Sequence, residues 1–140
     1  MLKQGCYKHR KIKILSWLDS FGFHQNISLF HESSNIIARH IEKQEVDIII
    51  GLGLKGSKIA TVVGLKLSKP VLLFVNNEID IYDIDLKKKY NIAMITDCII
   101  TGETAISCKE KLHEKQMDWG IISVYSVFIR NHAEGENNNR

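Results

Sequence analysis

The segment IAMITDCIITGETA, residues 92–105, joins an apolar run to an acidic residue and a threonine-glycine turn. Its first five residues are apolar or β-branched, which is typical of a strand buried on both faces of a sheet. Asp97 follows this run, and apolar spacing predicts a helix from Thr104 to Glu114. The backbone N–H groups of residues 101–105 would then be unpaired at a helix start, where the helix dipole favours an anion. This turn is therefore a candidate phosphate site.

A second glycine-containing turn lies upstream, in DIIIGLGLKGSKIA, residues 47–60. Its glycines form G-x-G-x-x-G after an apolar run, and Glu78 follows Gly56 by 22 residues, as a dinucleotide-binding turn requires. The same letters form a P-loop signature in which Ser57 and Lys58 stand in reversed order. Both patterns predict phosphate binding. The dinucleotide pattern leaves residues 96–104 unexplained, and the P-loop pattern has its lysine and its hydroxyl in the wrong positions.

Strands and helices alternate along the rest of the chain. Helices are predicted at residues 12–23, 28–45 and 57–67, and strands at residues 46–50, 71–75, 92–96 and 120–129. The polar segment 76–91, with alternating isoleucines, predicts an exposed loop or an edge hairpin. This order predicts an α/β fold with a mostly parallel sheet and helices on both faces. Ligands of such sheets bind at the carboxyl ends of the strands, where both glycine-containing turns are predicted.

The composition is typical of one globular domain. The 140 residues are 44% apolar and 25% charged, with a net charge of +3. We expect a single domain over residues 1–140, with an N-terminal helical region (1–45), a core (46–130) and a flexible tail (131–140). No apolar run reaches the roughly 18 residues that span a bilayer, and the first residues lack the apolar core of a secretory signal. We therefore expect a cytoplasmic protein without a membrane partner.

Several other residue types favour structural roles. Three cysteines without C-x-x-C spacing favour reduced thiols over disulfides or a zinc site. The basic residues crowded into the first 13 positions could contact nucleic acid, but a solvated face is the commoner outcome. The histidines have no metal-ligand spacing and are expected on the surface: His24, His31, His40 and His113. Both tryptophans, Trp17 and Trp119, are expected to pack against the core.

Residues 92–105 resemble the phosphoribosyl-pyrophosphate motif of the type I phosphoribosyltransferases. In that motif an apolar strand ends in two acidic residues, followed by two apolar positions and a small-residue loop of the form T-T-G-x-T. Residues 47–60 resemble the family's pyrophosphate loop, and LLFVNN, residues 72–77, resembles the segment that leads into its mobile flap. Residues 108–130 resemble the helix and strand that follow the motif. The resemblance explains both turns with one ligand, a sugar that carries a 5-phosphate and a pyrophosphate.

The resemblance also implies roles for individual residues. Asp97 would be the catalytic acidic residue and would hold a ribose hydroxyl. The 5-phosphate would be bound, mostly through backbone amides, by Thr101, Gly102, Glu103, Thr104 and Ala105. The pyrophosphate would be bound at a turn that is often bent by a cis peptide in the family, by Leu54, Lys55 and Gly56. Candidate flap lysines, for which a solvated charge run is the alternative, are Lys87, Lys88 and Lys89. Magnesium is implied as the ion that neutralises the pyrophosphate, with no direct ligand from the chain.

The implied activity is magnesium-dependent transfer of phosphoribose from phosphoribosyl pyrophosphate to a nucleobase-like acceptor, or the reverse. The lysine-glycine pair in GLGLKG is most similar to the orotate-type subgroup, and Ile100 replaces an aspartate of the 6-oxopurine enzymes. Thr96 stands where the first acidic residue is expected, and flap and hood are reduced. These departures leave open a non-catalytic domain that binds phosphoribosyl pyrophosphate or a nucleotide as a regulator, or a subunit of a larger assembly. The family commonly forms dimers, and exposed isoleucines in EIDIYDIDL, residues 78–86, are predicted to join a homodimer interface.

Overall fold

A five-stranded sheet with helices on both faces forms the part of the chain that the computed structural model describes, residues 25–99 and 102–129. The elements are α1 (Ile27–Glu42), β1 (Ile48–Leu52), α2 (Gly53–Leu67), β2 (Val71–Val75), β3 (Glu78–Ile79), β4 (Asn91–Ile99), α3 (Glu103–Glu114) and β5 (Gly120–Ile129). The strand order is β3-β2-β1-β4-β5, and only β3 runs antiparallel to its neighbour. This confirms the predicted α/β fold with a mostly parallel sheet. No helix in the described ranges is long and apolar enough to cross a membrane.

Alternating side chains of β1 and β4 divide the core between the two faces of the sheet. Ile49 and Ile95 pack with α1 and α2 on one face, whereas Ile50 and Met94 pack with α3 on the other. All four side chains are fully buried. Burial of one such side chain stabilises the fold by about 1.5–3 kcal/mol. Strands β1 and β4 are therefore firmly held in the core, and they fix the position of the turns that follow their carboxyl ends.

Helix α1 begins at a side-chain cap and ends against β5. The Asn26 side chain accepts a hydrogen bond from the Leu29 N–H at 3.2 Å, which satisfies one of the unpaired donors of the first turn. Beyond the helix, Gln44 Oε1 accepts hydrogen bonds from the Ser123 hydroxyl at 2.9 Å and the Tyr125 hydroxyl at 3.0 Å. Helix α1 is therefore fixed across the β5 side of the sheet. The predicted helix at residues 12–23 and the predicted tail at residues 131–140 lie outside the described residues.

A two-residue turn joins β2 to the edge strand β3. Asn76 and Asn77 both have positive φ, 53° and 59°, as a type I′ hairpin turn requires. The hairpin pairs Phe74 with Ile79. This confirms the predicted alternative of an edge hairpin for the start of the polar segment.

The isoleucines after this turn are buried or half-buried, so the prediction that they are exposed was wrong, whereas the homodimer itself stays a prediction. Ile79 is buried, and Ile81 and Ile84 are half-buried against the core on the α3 face. The intervening acidic residues suggested exposure, but a segment of alternating character that runs over a sheet face turns its apolar side chains inward. In this segment the large apolar side chains that are exposed are Tyr82 and Leu86.

Candidate functional site

The two glycine-containing turns follow the carboxyl ends of β1 and β4. These strands are parallel neighbours, with Gly51 opposite Ile95. The first turn of α2 then lies directly on the end of β4. A Cβ atom added to Gly56 would be 2.6 Å from the Ile95 carbonyl oxygen and 2.9 Å from the Thr96 Cα. Because no side chain fits between them, the candidate pyrophosphate turn and the candidate sugar-binding strand are in backbone contact.

The upstream glycines let the chain pass from β1 into α2 without a connecting loop. Gly53 has φ +71°, and a Cβ at Gly51 would be 2.5 Å from the Ser57 Cα. The helix therefore begins at Gly53, four residues before the predicted Ser57. The buried Ser57 hydroxyl donates to the Gly53 carbonyl oxygen at 2.6 Å, inside the helix. This bond uses the hydroxyl that a P-loop would direct to a metal ion.

The three residues predicted to bind pyrophosphate therefore lie in the first turn of α2 rather than in a loop. Leu54 is exposed, Lys55 is half-buried and Gly56 is buried. Helix α2 has no side-chain cap at Leu52, so its N-terminus is a candidate anion site. All described peptide bonds are trans, so the cis peptide implied by the family resemblance is not seen at this turn.

Asp97 is held at the carboxyl end of β4 by its neighbours. The Ser126 hydroxyl on β5 donates to the Asp97 carbonyl oxygen at 3.3 Å. The Thr96 hydroxyl lies 3.5 Å from Asp97 Oδ1, at the limit of a hydrogen bond, and the Thr96 side chain is only 7% exposed. Asp97 itself is half-buried. Its carboxylate thus lies within β4, two residues before the strand ends at Ile99, next to an uncharged hydroxyl and not a second carboxylate.

The start of α3 has the backbone form of an anion site. Gly102 is the N-cap, with φ 78°, and the Ile106 N–H makes a helical bond to the Gly102 carbonyl oxygen at 3.1 Å. The N–H groups of Thr104 and Ala105 precede that bond and belong to the first turn, where a helix has no preceding carbonyl groups to accept them. Apart from the adjacent residues of the chain, no heavy atom lies within 4 Å of a Cβ added to Gly102, and the same holds for Gly53. Both positive-φ glycines therefore border open space at the same edge of the sheet. Ile100 and Thr101 lie outside the described residues.

Comparison with solved structures identifies this arrangement of strands and helices. Adenine phosphoribosyltransferase from Saccharomyces cerevisiae matches with a TM-score of 0.65 and 18% identity, over 81% of this chain and 76% of that one. The chain has the type I phosphoribosyltransferase fold. UMP synthase from Leishmania donovani matches with a TM-score of 0.64 and 19% identity, over 82% of this chain. A purine phosphoribosyltransferase from Pyrococcus horikoshii matches with a TM-score of 0.54 and 20% identity, over 71% of this chain and 82% of that one.

The matching region makes up a quarter of the Leishmania UMP synthase, 25% of its length. No protein-family model matches the sequence, and neither does any curated protein sequence. The similarity to known proteins is therefore a similarity of fold. The candidate site lies at the carboxyl ends of the strands in this fold.

Lys88 and Lys89 lie near the amino ends of the strands in this phosphoribosyltransferase fold, at the opposite end from the candidate site. The Trp119 indole N–H donates to the Lys88 carbonyl oxygen at 3.2 Å, and Lys89 Nζ is 3.1 Å from Asp118 Oδ2. Both contacts are at the amino ends of β4 and β5, where Asn91 pairs with Gly120. Asp97 is six residues further along β4, which corresponds to about 20 Å. The structure therefore does not bring these lysines to the candidate site, and the Lys87 N–H is likewise bonded locally, to Asp85 Oδ1 at 3.0 Å.

The remaining reactive side chains form no metal site in the described ranges, because no three His, Cys, Asp or Glu residues there could hold an ion together. His31, His40 and His113 are exposed on helices, as predicted. Trp119 is buried, as predicted, and stacks edge-on against Tyr90 with ring centroids 5.2 Å apart. Ser126 was missed at the sequence level. It is one of three hydroxyl-bearing residues in β5, so the sequence does not single it out, and its partner depends on strand register.

Proposed function

We propose that the chain binds phosphoribosyl pyrophosphate at the carboxyl edge of its sheet and transfers the phosphoribose to a nucleobase-like acceptor, or catalyses the reverse. The contact between Gly56 and the end of β4 carries this proposal, because it holds the N-terminus of α2 against the strand that contains Asp97. The ligand has phosphate groups at both ends of one sugar, which matches two anion-binding ends that flank one carboxylate. The solved structures of similar fold include phosphoribosyltransferases for adenine and other purines.

The start of α3 would bind the 5-phosphate. The amides of Glu103, Thr104 and Ala105 would donate to its oxygens, and Gly102 would let the phosphate approach the backbone. Thr101, which precedes Gly102 in the sequence, would add a hydroxyl. Most of these donors are backbone groups, so the phosphate position would depend on helix geometry more than on any one side chain.

Asp97 would orient the sugar between the two phosphate sites. Its carboxylate can accept hydrogen bonds from ribose hydroxyls, and it can stabilise positive charge that develops on the sugar as the bond to pyrophosphate breaks. The first turn of α2, with Leu54, Lys55 and Gly56, would bind the departing pyrophosphate at the second helix N-terminus. Catalysis would then come from positioning and from electrostatic stabilisation.

Magnesium fits this site as an ion that the substrate phosphates carry. Mg²⁺ in proteins usually keeps several waters and is bound by one or two carboxylates together with phosphate oxygens. Asp97 is the carboxylate at the end of β4, and the described residues supply no three-ligand cluster that would hold the ion without the substrate. When bound, the ion would neutralise charge on the pyrophosphate leaving group.

A second candidate function is ligand binding without turnover, and Thr96 favours it. This buried residue carries no charge, so the site has one carboxylate at the strand end where the resemblance implies two. Lys88 and Lys89 lie at the amino ends of β4 and β5, so they do not supply positive charge to the leaving group at the candidate site. In this alternative the domain would sense phosphoribosyl pyrophosphate or a nucleotide, or serve as a subunit of a larger assembly.

Pyrophosphate release distinguishes the two candidates. The purified chain would be incubated with phosphoribosyl pyrophosphate, magnesium and a panel of nucleobases, beside Asp97→Asn and a matched control, Asp118→Asn. Asp118 is an exposed carboxylate at the opposite edge of the sheet. Release by the wild type and Asp118→Asn, but not by Asp97→Asn, would support the transferase. Ligand-dependent stabilisation without pyrophosphate release in the presence of any nucleobase would support the sensor. If the ligand causes neither stabilisation nor pyrophosphate release, the proposed site is rejected.

A further inference from the structure

Two hydroxyl groups contact Asp97 from neighbouring strands. The Thr96 hydroxyl, on β4, lies 3.5 Å from Asp97 Oδ1, and the Ser126 hydroxyl, on β5, donates to the Asp97 carbonyl oxygen at 3.3 Å. Thr96 and Ser126 are register partners in the parallel pairing of β4 with β5, and together they form a hydroxyl pair. One member of the pair contacts the side chain of Asp97, and the other contacts its main chain.

The approach of Thr96 to the carboxylate is unusual for adjacent residues of a strand. Successive side chains of a β-strand point to opposite faces of the sheet, so the ends of two neighbouring side chains normally diverge. The Thr96 hydroxyl and Asp97 Oδ1 are nevertheless 3.5 Å apart, which requires the two side chains to turn toward each other. Hydrogen bonds in a site without ligand are often long and shorten when the ligand binds. The contact is therefore specific to one orientation of the Asp97 carboxylate.

Thr96 is fixed more firmly than the residue that it contacts. Thr96 is buried, whereas Asp97 is half-buried. The Thr96 Cα lies against the first turn of α2, since a Cβ at Gly56 would be 2.9 Å from it. A β-branched side chain also has few rotamers available. Because a buried hydroxyl generally keeps a hydrogen-bond partner, Thr96 is suited to hold the less buried carboxylate in place.

The chemistry of a hydroxyl also suits an ionised partner. A hydroxyl can donate to a carboxylate, and a hydrogen bond to an ionised acceptor is stronger than one between neutral groups. Thr96 stands where the resemblance implies an acidic residue. An ionised carboxylate at that position could only accept hydrogen bonds, and it would repel Asp97. The uncharged side chain of Thr96 is therefore able to orient Asp97 in a way that a second carboxylate is not.

We propose that Thr96 and Ser126 are positioning residues, which hold the Asp97 carboxylate in the orientation that receives the sugar of the ligand. Thr96 fixes one carboxylate oxygen, which leaves the other for a ribose hydroxyl, and Ser126 fixes the main chain of Asp97 against β5. This inference rests on the proposed binding of phosphoribosyl pyrophosphate. It applies both to transfer and to binding without turnover, because both require the sugar to be held.

Two substitutions of Thr96 separate this role from simple packing. Thr96→Val keeps the shape of the side chain and removes the hydroxyl, whereas Thr96→Ser keeps the hydroxyl and removes the methyl group. Titration calorimetry with phosphoribosyl pyrophosphate and magnesium should show at least fivefold weaker binding in Thr96→Val and less than a twofold change in Thr96→Ser. If Thr96 only fills space, Thr96→Ser is the more damaging change. That order, or equal affinities of the two variants, would overturn the proposal.

A matched pair of substitutions in β5 tests the second hydroxyl. Ser126→Ala should weaken binding at least threefold, and Ser126→Thr, which keeps a hydroxyl, should restore it. The control is Ser123→Ala, because the Ser123 hydroxyl donates to Gln44 Oε1 at 2.9 Å and does not contact Asp97. This control should bind the ligand as the wild type does. Equal affinities of Ser126→Ala and Ser123→Ala would overturn the role of Ser126, and urea unfolding verifies that each variant is folded.

The χ1 angle of Asp97 in the ligand-free protein provides a readout that does not depend on the ligand. Three-bond scalar couplings measured by NMR should report one rotamer in the wild type and in Thr96→Ser, and an average over rotamers in Thr96→Val. An average in the wild type, or one unchanged rotamer in Thr96→Val, would overturn the proposal. If the wild type has one rotamer that Thr96→Val loses, but does not bind phosphoribosyl pyrophosphate, then Thr96 orients Asp97 and only the proposed ligand is rejected.

Discussion

The backbone of Gly56 lies against that of Thr96, with space for a hydrogen atom but not for a methyl group. A Cβ at residue 56 would be 2.9 Å from the Thr96 Cα and closer still, 2.6 Å, to the Ile95 carbonyl oxygen. This contact fixes the distance between the first turn of α2 and the end of β4. The position of the proposed pyrophosphate site relative to β4 therefore depends on the absence of a side chain at Gly56.

Gly56→Ala should reduce both stability and ligand binding. Because the added methyl group meets backbone atoms, the helix must shift, and we expect a loss of about 1–3 kcal/mol in the free energy of unfolding. The control is Gly120→Ala, where the new Cβ would make an ordinary contact, 3.5 Å from Asn91 Oδ1. Urea unfolding of both variants measures the difference. Equal stability of Gly56→Ala and Gly120→Ala would contradict the close approach.

Gly102→Asp should abolish ligand binding while the domain remains folded. Aspartate tolerates the left-handed backbone of Gly102 better than most residues and can cap α3, but its charge would repel a phosphate. At ligand concentrations about 100 times the dissociation constant, phosphoribosyl pyrophosphate should stabilise the wild type by about 2.7 kcal/mol. Thermal melting with and without ligand and magnesium measures this shift. Gly102→Asn, which has nearly the same shape without the charge, should retain part of it, and a full shift in Gly102→Asp would exclude the proposed phosphate position.

Much of the fold follows from residue patterns, but several positions depend on tertiary contacts. The apolar runs at β1 and β4 predicted buried strands, because few other elements bury consecutive β-branched residues. The start of α2 was placed four residues late at Ser57 because Gly53 was treated as part of a loop, whereas its positive φ allows an immediate turn into the helix. Ile81 and Ile84 were placed in solvent because acidic residues flank them. Their burial depends on where the segment crosses the sheet, which local sequence does not specify.

In the candidate site, too, some features could be predicted from local sequence and others depend on tertiary contacts. The turn before α3 could be predicted because helix starts leave backbone donors unpaired whatever the tertiary structure. The contact between Ser126 and Asp97 depends on the register of β5 against β4, which is not written in either strand alone. The position of Lys88 depends on a hydrogen bond to Trp119, 31 residues away along the chain.

The positions of the lysines predict which lysine side chain contributes to binding of phosphoribosyl pyrophosphate. Lys55 lies in the first turn of α2, at the candidate pyrophosphate site, whereas Lys89 pairs with Asp118 at the other edge of the sheet. Lys55→Ala should weaken binding of phosphoribosyl pyrophosphate on the order of tenfold or more, because hydrogen bonds to charged groups contribute about 1.5–3 kcal/mol. Lys89→Ala should leave affinity unchanged. Titration calorimetry measures both, and a larger loss in Lys89→Ala would mean that the segment before β4 moves to the site.

Burial of Cys108 predicts a loss of stability at alkaline pH. The thiol is fully buried between α3 and the sheet, and this desolvation raises the pKa of Cys108 to about 12. In the unfolded chain the thiol ionises near its ordinary pKa, so above about pH 9 the unfolded state binds fewer protons than the folded state. The free energy of unfolding should therefore fall as pH rises, with a contribution of up to about 1.4 kcal/mol per pH unit between the two pKa values.

Urea unfolding between pH 8 and pH 10.5 isolates the contribution of this thiol. Cys108→Ala removes the titrating group, so its stability should fall less steeply with pH than that of the wild type, even if its stability at pH 8 is lower. A thiol reagent at pH 8 should modify Cys108 only after urea unfolds the chain. Rapid modification in the folded protein, or identical slopes in wild type and Cys108→Ala, would show that the thiol is accessible to solvent and that α3 does not cover the sheet as described.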